Sequence, residues 1–288
     1  MMRTSLIASS WFIATSLGAQ THDHSSAHAH GVNSANVESL LAQVRIATEP
    51  YVDRNVAIAA GYRRVGPDIP SMGEHWLNPK LIVEGKFDVS RPQLLTYLKI
   101  DGRPVLTGVV YGIPLRQGES PPDAFGPEAS WHEHNGSIDE EGLLPEHHNT
   151  PSAKVGTRVA FLHAWIRVPG SEPVFSAENW AIPFLRLGIP VPDQFPNGAA
   201  RALSLIANGK KYFADLLGPA AQQSASSLDE TSSAAESILD RAKADGRSFD
   251  PGDLARLDDA WQRLLTDVVR RSGIEAAKRI NGGVTPRL

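Results

Sequence analysis

Apolar residues recur at intervals of three and four from Asn36 onward: Val37, Leu40, Leu41, Val44 and Ala47. That spacing lines one face of an α-helix, with Asn36 available as its cap. Pro50 marks a kink or a fresh start, and Thr48 is placed to cap a second helix that carries Tyr51, Val56, Ala57 and Ala60 and stops at Gly61. Gly66 to Pro70 then reads as a turn-rich passage, followed by a short Glu74-His75-Trp76 segment that Asn78-Pro79 interrupts. Gln93 to Ile100 and Pro104 to Pro114 have strand patterns and are joined through Asp101-Gly102, a pair suited to a tight hairpin, with Pro104 delaying the second strand.

A Pro- and Gly-rich loop, Gln117 to Ala129, leads into Trp131-His132-Glu133-His134, which reads as extended. In Thr157 to Val168, Val159, Phe161, His163 and Trp165 alternate with Ala160, Leu162 and Ala164, the period of a strand. Ser176 to Pro192, broken by Pro183 and Pro190, reads as an irregular strand or loop. Composition shifts at Asn197. Gly198 to Leu217 suits a helix, an Ala-, Ser- and Gln-rich linker follows through Ser227, and Ser232 to Ala244 suits another helix. Asp253 to Arg271 is amphipathic, with Leu254, Leu257, Trp261, Leu264, Leu265 and Val268 on one stripe, and Gly273 to Ile280 adds a final turn or two.

These elements predict an α+β fold: N-terminal helices, a mostly antiparallel sheet carrying the histidines, and a C-terminal helical segment. The expected divisions are an export signal over 1–20, a histidine-rich leader over 21–35, an α+β domain over 36–196 and a helical segment over 197–288. Arg3, the apolar run from Leu6 to Leu17 and the small residues Gly18-Ala19 have the layout of a secretory signal, which places the protein in the periplasm or outside the cell. That run is shorter than the roughly 20 residues a membrane span needs, so no stable span is expected.

The net charge of −4 gives no basic excess for nucleic acid. There is no cysteine, which excludes disulfides, thiolate ligands and cysteine nucleophiles, so any metal must be held by nitrogen and oxygen donors. No Gly-x-Ser-x-Gly elbow, phosphate-binding Gly loop or dinucleotide fingerprint occurs, and catalysis is left open.

Four of the ten histidines, His22, His24, His28 and His30, fall in the leader, a mobile tail by composition. The internal ones carry more chemistry. His132 and His134, two apart on an extended segment, project to one face, and His75 and His163 lie on other segments. Imidazole suits zinc, copper and other transition metals, so convergence of His75, His132, His134 and His163 would build a mononuclear site. Each histidine stretch has a Trp within two positions, placed to dry such a pocket or simply to fill the core. Glu74 and Glu133, adjacent to histidines on strands, should face away. Asp139, Glu140, Glu141, His147 and His148 are within loop reach as further donors. The competing expectation is a metal-free module whose Trp- and His-lined pocket holds a small molecule or a partner, a second copy of the chain included.

Gly126 followed by His132-Glu133-His134 resembles the opening of the first cupin motif, but Asp139 stands where the acid should be Glu, and the second motif is absent. A broader likeness covers residues 40 to 190. Ala47-Thr48 with Tyr51 and Asp53, Ala59-Ala60-Gly61-Tyr62, MGEHWLNP at 72–79, Pro92 to Tyr97, Leu106 to Tyr111, WHEH and LHAW resemble a family of exported bacterial proteins of unknown function. The resemblance implies a secreted domain with recurrent histidine motifs and carries no activity with it.

Overall fold

Helix α1 (Ser34–Thr48) forms on the stripe expected of it, burying Val37, Leu41 and Val44. The computed structural model describes residues 34–116, 118–135, 158–168, 173–246 and 248–286. The expected signal, the leader histidines and Asp139, Glu140, Glu141, His147 and His148 lie outside these. Thr48 does not cap a second helix, because its hydroxyl donates back to the Val44 carbonyl at 2.7 Å. A single 3-10 turn over Glu49–Val52 follows, and α2 (Arg54–Ala59) starts afresh from Asp53, whose side chain accepts from the Asn55 amide.

Six strands make one antiparallel sheet: β1 (Arg63–Ile69), β2 (Gly73–Leu77), β3 (Leu94–Ile100), β4 (Arg103–Leu115), β5 (His132–Asn135) and β6 (Arg158–Ala164). Their order is β1-β2-β3-β4-β6-β5. The β3–β4 hairpin turns at Asp101 and Gly102, with φ of 48° and 77°, the left-handed pair that matches strand twist. Pro104 does not delay β4, since it already pairs with Lys99.

The passage from Gly66 to Pro70, read above as turn, belongs largely to β1. Pro67 is tolerated because β1 is an edge strand whose register with β2 breaks between Val65 and Ile69. Asn78-Pro79 starts α3 (Pro79–Glu84): Asn78 Oδ1 accepts the Lys80 amide, and Pro79 occupies the first turn, where no amide is needed.

One face of the sheet carries Leu95, Tyr97, Leu106, Val109, Tyr111 and Leu162, covered by α1. The other carries Leu77, Leu94, Val110 and Phe161 at one end and Met72, Leu98 and Trp165 at the other. Between these two apolar groups lies a bulge. Thr96 pairs with Gly108 and Tyr97 with Leu106, which leaves Thr107 as the extra residue. A bulge bends its strand and increases local twist, curling the sheet toward this second face.

Within Ser176 to Pro192, expected as an irregular strand or loop, the short helix α4 (Ile182–Arg186) forms, with Pro183 in its first turn and Ile182, Pro183 and Phe184 buried, and the rest is loop. Arg186 forms an ion pair with Asp68 of β1, joining α4 to the sheet. The helices α5 (Asn197–Ala207), α6 (Lys210–Leu217), α7 (Ala221–Ala244), α8 (Pro251–Ser272) and α9 (Ile274–Ile280) complete the chain, and residues 32–288 group as one unit. The expected linker ending at Ser227 is the start of α7. Its alanines favour helix, and Ser224 and Leu228 are buried against the bundle. A reciprocal cap between Asp250 and Asp253 opens α8.

Trp261, fully buried, anchors the bundle through edge contact with Phe213 and a 3.1 Å bond from Nε1 to Asn281 Oδ1. Trp261→Ala is expected to cost about 3–5 kcal/mol, read as a fall in the urea midpoint with the slope unchanged.

Candidate metal centre

His75 stands in mid-strand on β2, opposite Thr96 of β3, and Thr96 in turn faces Gly108 of β4. His163 of β6 pairs with Val110 of β4. Two strands therefore separate the histidines within the sheet, yet His75 Nε2 and His163 Nε2 are 3.3 Å apart. The curl produces this approach. Thr96 and Thr107, joined hydroxyl to hydroxyl at 3.0 Å, and the bare Gly108 make a low floor that both imidazoles reach across.

Gly108 is required for close packing at that floor. A Cβ built there would lie 2.7 Å from the Ala164 carbonyl oxygen and 3.3 Å from the Trp165 ring. Both imidazoles are interior, His75 at 2% exposure and His163 at 4%.

His132 lies opposite Phe161 on β5, so it shares the face of His163, and the two rings stack with planes 1° apart and centroids 5.4 Å apart. Its Nδ1 makes a long 3.4 Å contact with the Ser130 carbonyl, and its Nε2 is turned inside. On the far side Trp165 stacks on His163 at 5.5 Å. His134 pairs with Val159 through its backbone, and its side chain lies outside the described residues. Among the described residues no three metal-ligating side chains stand together as a set. The sheet brings His75 and His163 nitrogen to nitrogen and places His132 beside them in a ring-parallel stack. A ring nitrogen directs its lone pair in its own plane, so a stacked His132 must rotate before it shares an ion with His163.

Glu74 and Glu133 face away. Glu74 accepts from Arg54 and from Trp76 Nε1 and pairs with Arg64, on the side of α1. Glu133 is bound by Arg158, which holds its carboxyl below the usual range. Of the three tryptophans near the histidine motifs, Trp165 alone touches a described histidine ring. Trp76 packs on Tyr97 and Trp131 on Phe87, both on the α1 side of the sheet.

Burial drives the pKa of His75 down to about 4, with the nearby His132 adding to the effect and the Gly73 backbone offsetting part of it. His75 Nδ1 has no well-formed hydrogen bond among the described residues. A neutral His75 in the fold and an ordinary one in the unfolded chain make stability depend on pH. It is complete above about pH 6.5 and declines as pH falls toward 4, because only the unfolded chain takes up the proton. The metal-free protein is expected to lose up to about 3 kcal/mol across that window. Urea midpoints from pH 7.5 to 4 should show it, with a flatter dependence in His75→Asn.

Two imidazole nitrogens at about 2.0–2.1 Å from one tetrahedral ion are about 3.3–3.4 Å apart. The His75–His163 separation has that value. It is also long for a hydrogen bond between two neutral rings, in which one must donate. No family model, curated protein or solved structure matches the chain.

Proposed function

We propose that the protein is an exported metal-binding protein in which His75 and His163 hold a transition-metal ion, zinc or copper by donor type, with His132 and His134 of β5 as the further donors. The observation that carries this is the 3.3 Å separation of two buried Nε2 atoms from strands that have two others between them in the sheet. Two facing Nε2 lone pairs cannot accept from each other, and an ion between the two rings takes both at once. An ion held by fewer than four protein donors keeps a position for an outside ligand, which is where an activity would arise.

Elemental analysis after dialysis tests the reading, on protein lacking Thr21 to Gly31 so that the leader histidines contribute nothing. About one ion per chain, lost in the His75→Ala, His163→Ala double variant, supports it. No retained ion, or one that survives the double variant, refutes it.

A second reading rests on the pairing of two histidines where a metal site wants three. The two rings then share a proton as a buried hydrogen bond, and the second face of the sheet holds a small molecule or a partner. Dialysed protein that contains no ion and ignores added zinc favours this.

A further inference from the structure

Arg201, on α5, is 6% exposed and lies at the junction of the helical bundle with the β1–β2 turn. It lines a cavity of about 40 Å³ with Ser71, Met72, Glu178, Tyr212 and Arg279. Its guanidinium carbon lies over Trp180, 4.1 Å from the ring centroid, a cation–π contact that uses none of its N–H donors. The one ion-pair contact it makes among the described residues is to Glu178, at 3.9 Å, too long for a hydrogen bond. Glu178 is already engaged, accepting from Ser71 Oγ at 3.2 Å and from Trp180 Nε1 at 3.0 Å.

Arg279 gives Nε and Nη2 to the carbonyls of Leu216 and Leu217 and adds a second positive charge to the wall. Two guanidinium groups therefore face one carboxylate. Gly282 presents bare backbone to Arg201, where a Cβ would come within 2.9 Å of Nη2.

We infer that this cavity is a binding site for a small monocarboxylate, whose two oxygens take the open edge of Arg201. A planar fork that makes no hydrogen bond among the described residues, in a water-poor site, matches a carboxylate in two parallel hydrogen bonds. The size agrees with the head group: one water occupies roughly 10–15 Å³ on this measure, so 40 Å³ takes about three heavy atoms, the carboxyl carbon and its two oxygens, and the chain lies at the cavity's mouth. Ile69, Met72, Phe213 and Leu216 supply an apolar wall for that chain. The tetrahedral, doubly charged phosphate suits this lining less well. The site shares no residue with the histidine pair and stands or falls apart from it.

The test is melting temperature and calorimetric titration of the full chain with acetate, propionate and inorganic phosphate against chloride at equal ionic strength. Propionate should give a saturable rise, acetate a weaker one and chloride none. Arg201→Lys keeps the charge but loses the fork, and should weaken propionate at least about tenfold. Glu178→Gln removes the competing carboxylate and should strengthen it about threefold or more. Circular dichroism checks folding, and should Arg201→Lys fail to fold, Glu178→Gln decides. The inference is overturned if propionate gives no saturable response in either the wild type or Glu178→Gln, if a folded Arg201→Lys responds as the wild type does, if Glu178→Gln does not bind propionate more tightly, or if phosphate binds more tightly than propionate.

Discussion

Replacing His163 with alanine is expected to abolish the zinc-dependent rise in melting temperature while leaving a folded protein. His163 is buried at 4% exposure and offers Nε2 to the same point as His75. A ligand that binds only the native state at 100 times its dissociation constant adds about 2.7 kcal/mol, which in a chain of this size is a shift of about 5–10 °C. With one imidazole left at the crossing point, that increment should fall to near zero. The truncation also leaves a hole between His132 and Trp165, which stack on either side of His163, and the metal-free variant should lose about 2–3 kcal/mol for that reason alone. Zinc response and baseline stability are read in the same thermal scans. Glu133→Gln, on the other face and paired with Arg158, is the control whose zinc response should be retained.

Gly108→Ala should damage both the fold and the centre. The added methyl meets the Ala164 carbonyl at 2.7 Å and Thr96 Oγ1 at 3.1 Å. The first obstacle is backbone and cannot swing aside, so β4 and β6 must part at the place where their pairing carries His163. A cost of about 2–3 kcal/mol is expected in urea unfolding, together with at least a tenfold loss of zinc affinity in titration, because the His75–His163 separation widens.

Much of the architecture was legible in the chain. The Asp101-Gly102 turn, the alternation around His163 and the stripe ending at Val268 each rest on local rules, and the α+β fold follows from them. The β1 strand was not, because Gly66 and Pro67 look like punctuation and only the edge position of the strand excuses them. The helix through Ala221 to Ser227 was hidden because its serines and glutamines resemble a linker until tertiary packing buries one side.

At the candidate centre, period-two alternation was enough to send Glu74 and Glu133 away from the histidines. The same rule, applied to the neighbouring tryptophans, sends Trp76 and Trp131 to the α1 face and keeps Trp165, two residues from His163, beside it. The grouping of His75 with His163 was expected from their histidine motifs, but the way they meet was not readable, since it depends on the extra residue Thr107 and on the bare Gly108, and neither carries a local signature. Arg201 left one trace, a charged residue inside the run Ala199, Ala200, Ala202, Leu203, where a solvent-facing position would break the stripe less cleanly.

Zinc-edge X-ray absorption on zinc-loaded protein lacking Thr21 to Gly31 addresses the central claim most directly. The account expects a first shell at about 2.0 Å with the outer-shell signature of at least two imidazoles, reduced in His75→Ala and in His163→Ala alike. A first shell of oxygen with no imidazole signature, or a spectrum that neither variant changes, would contradict it.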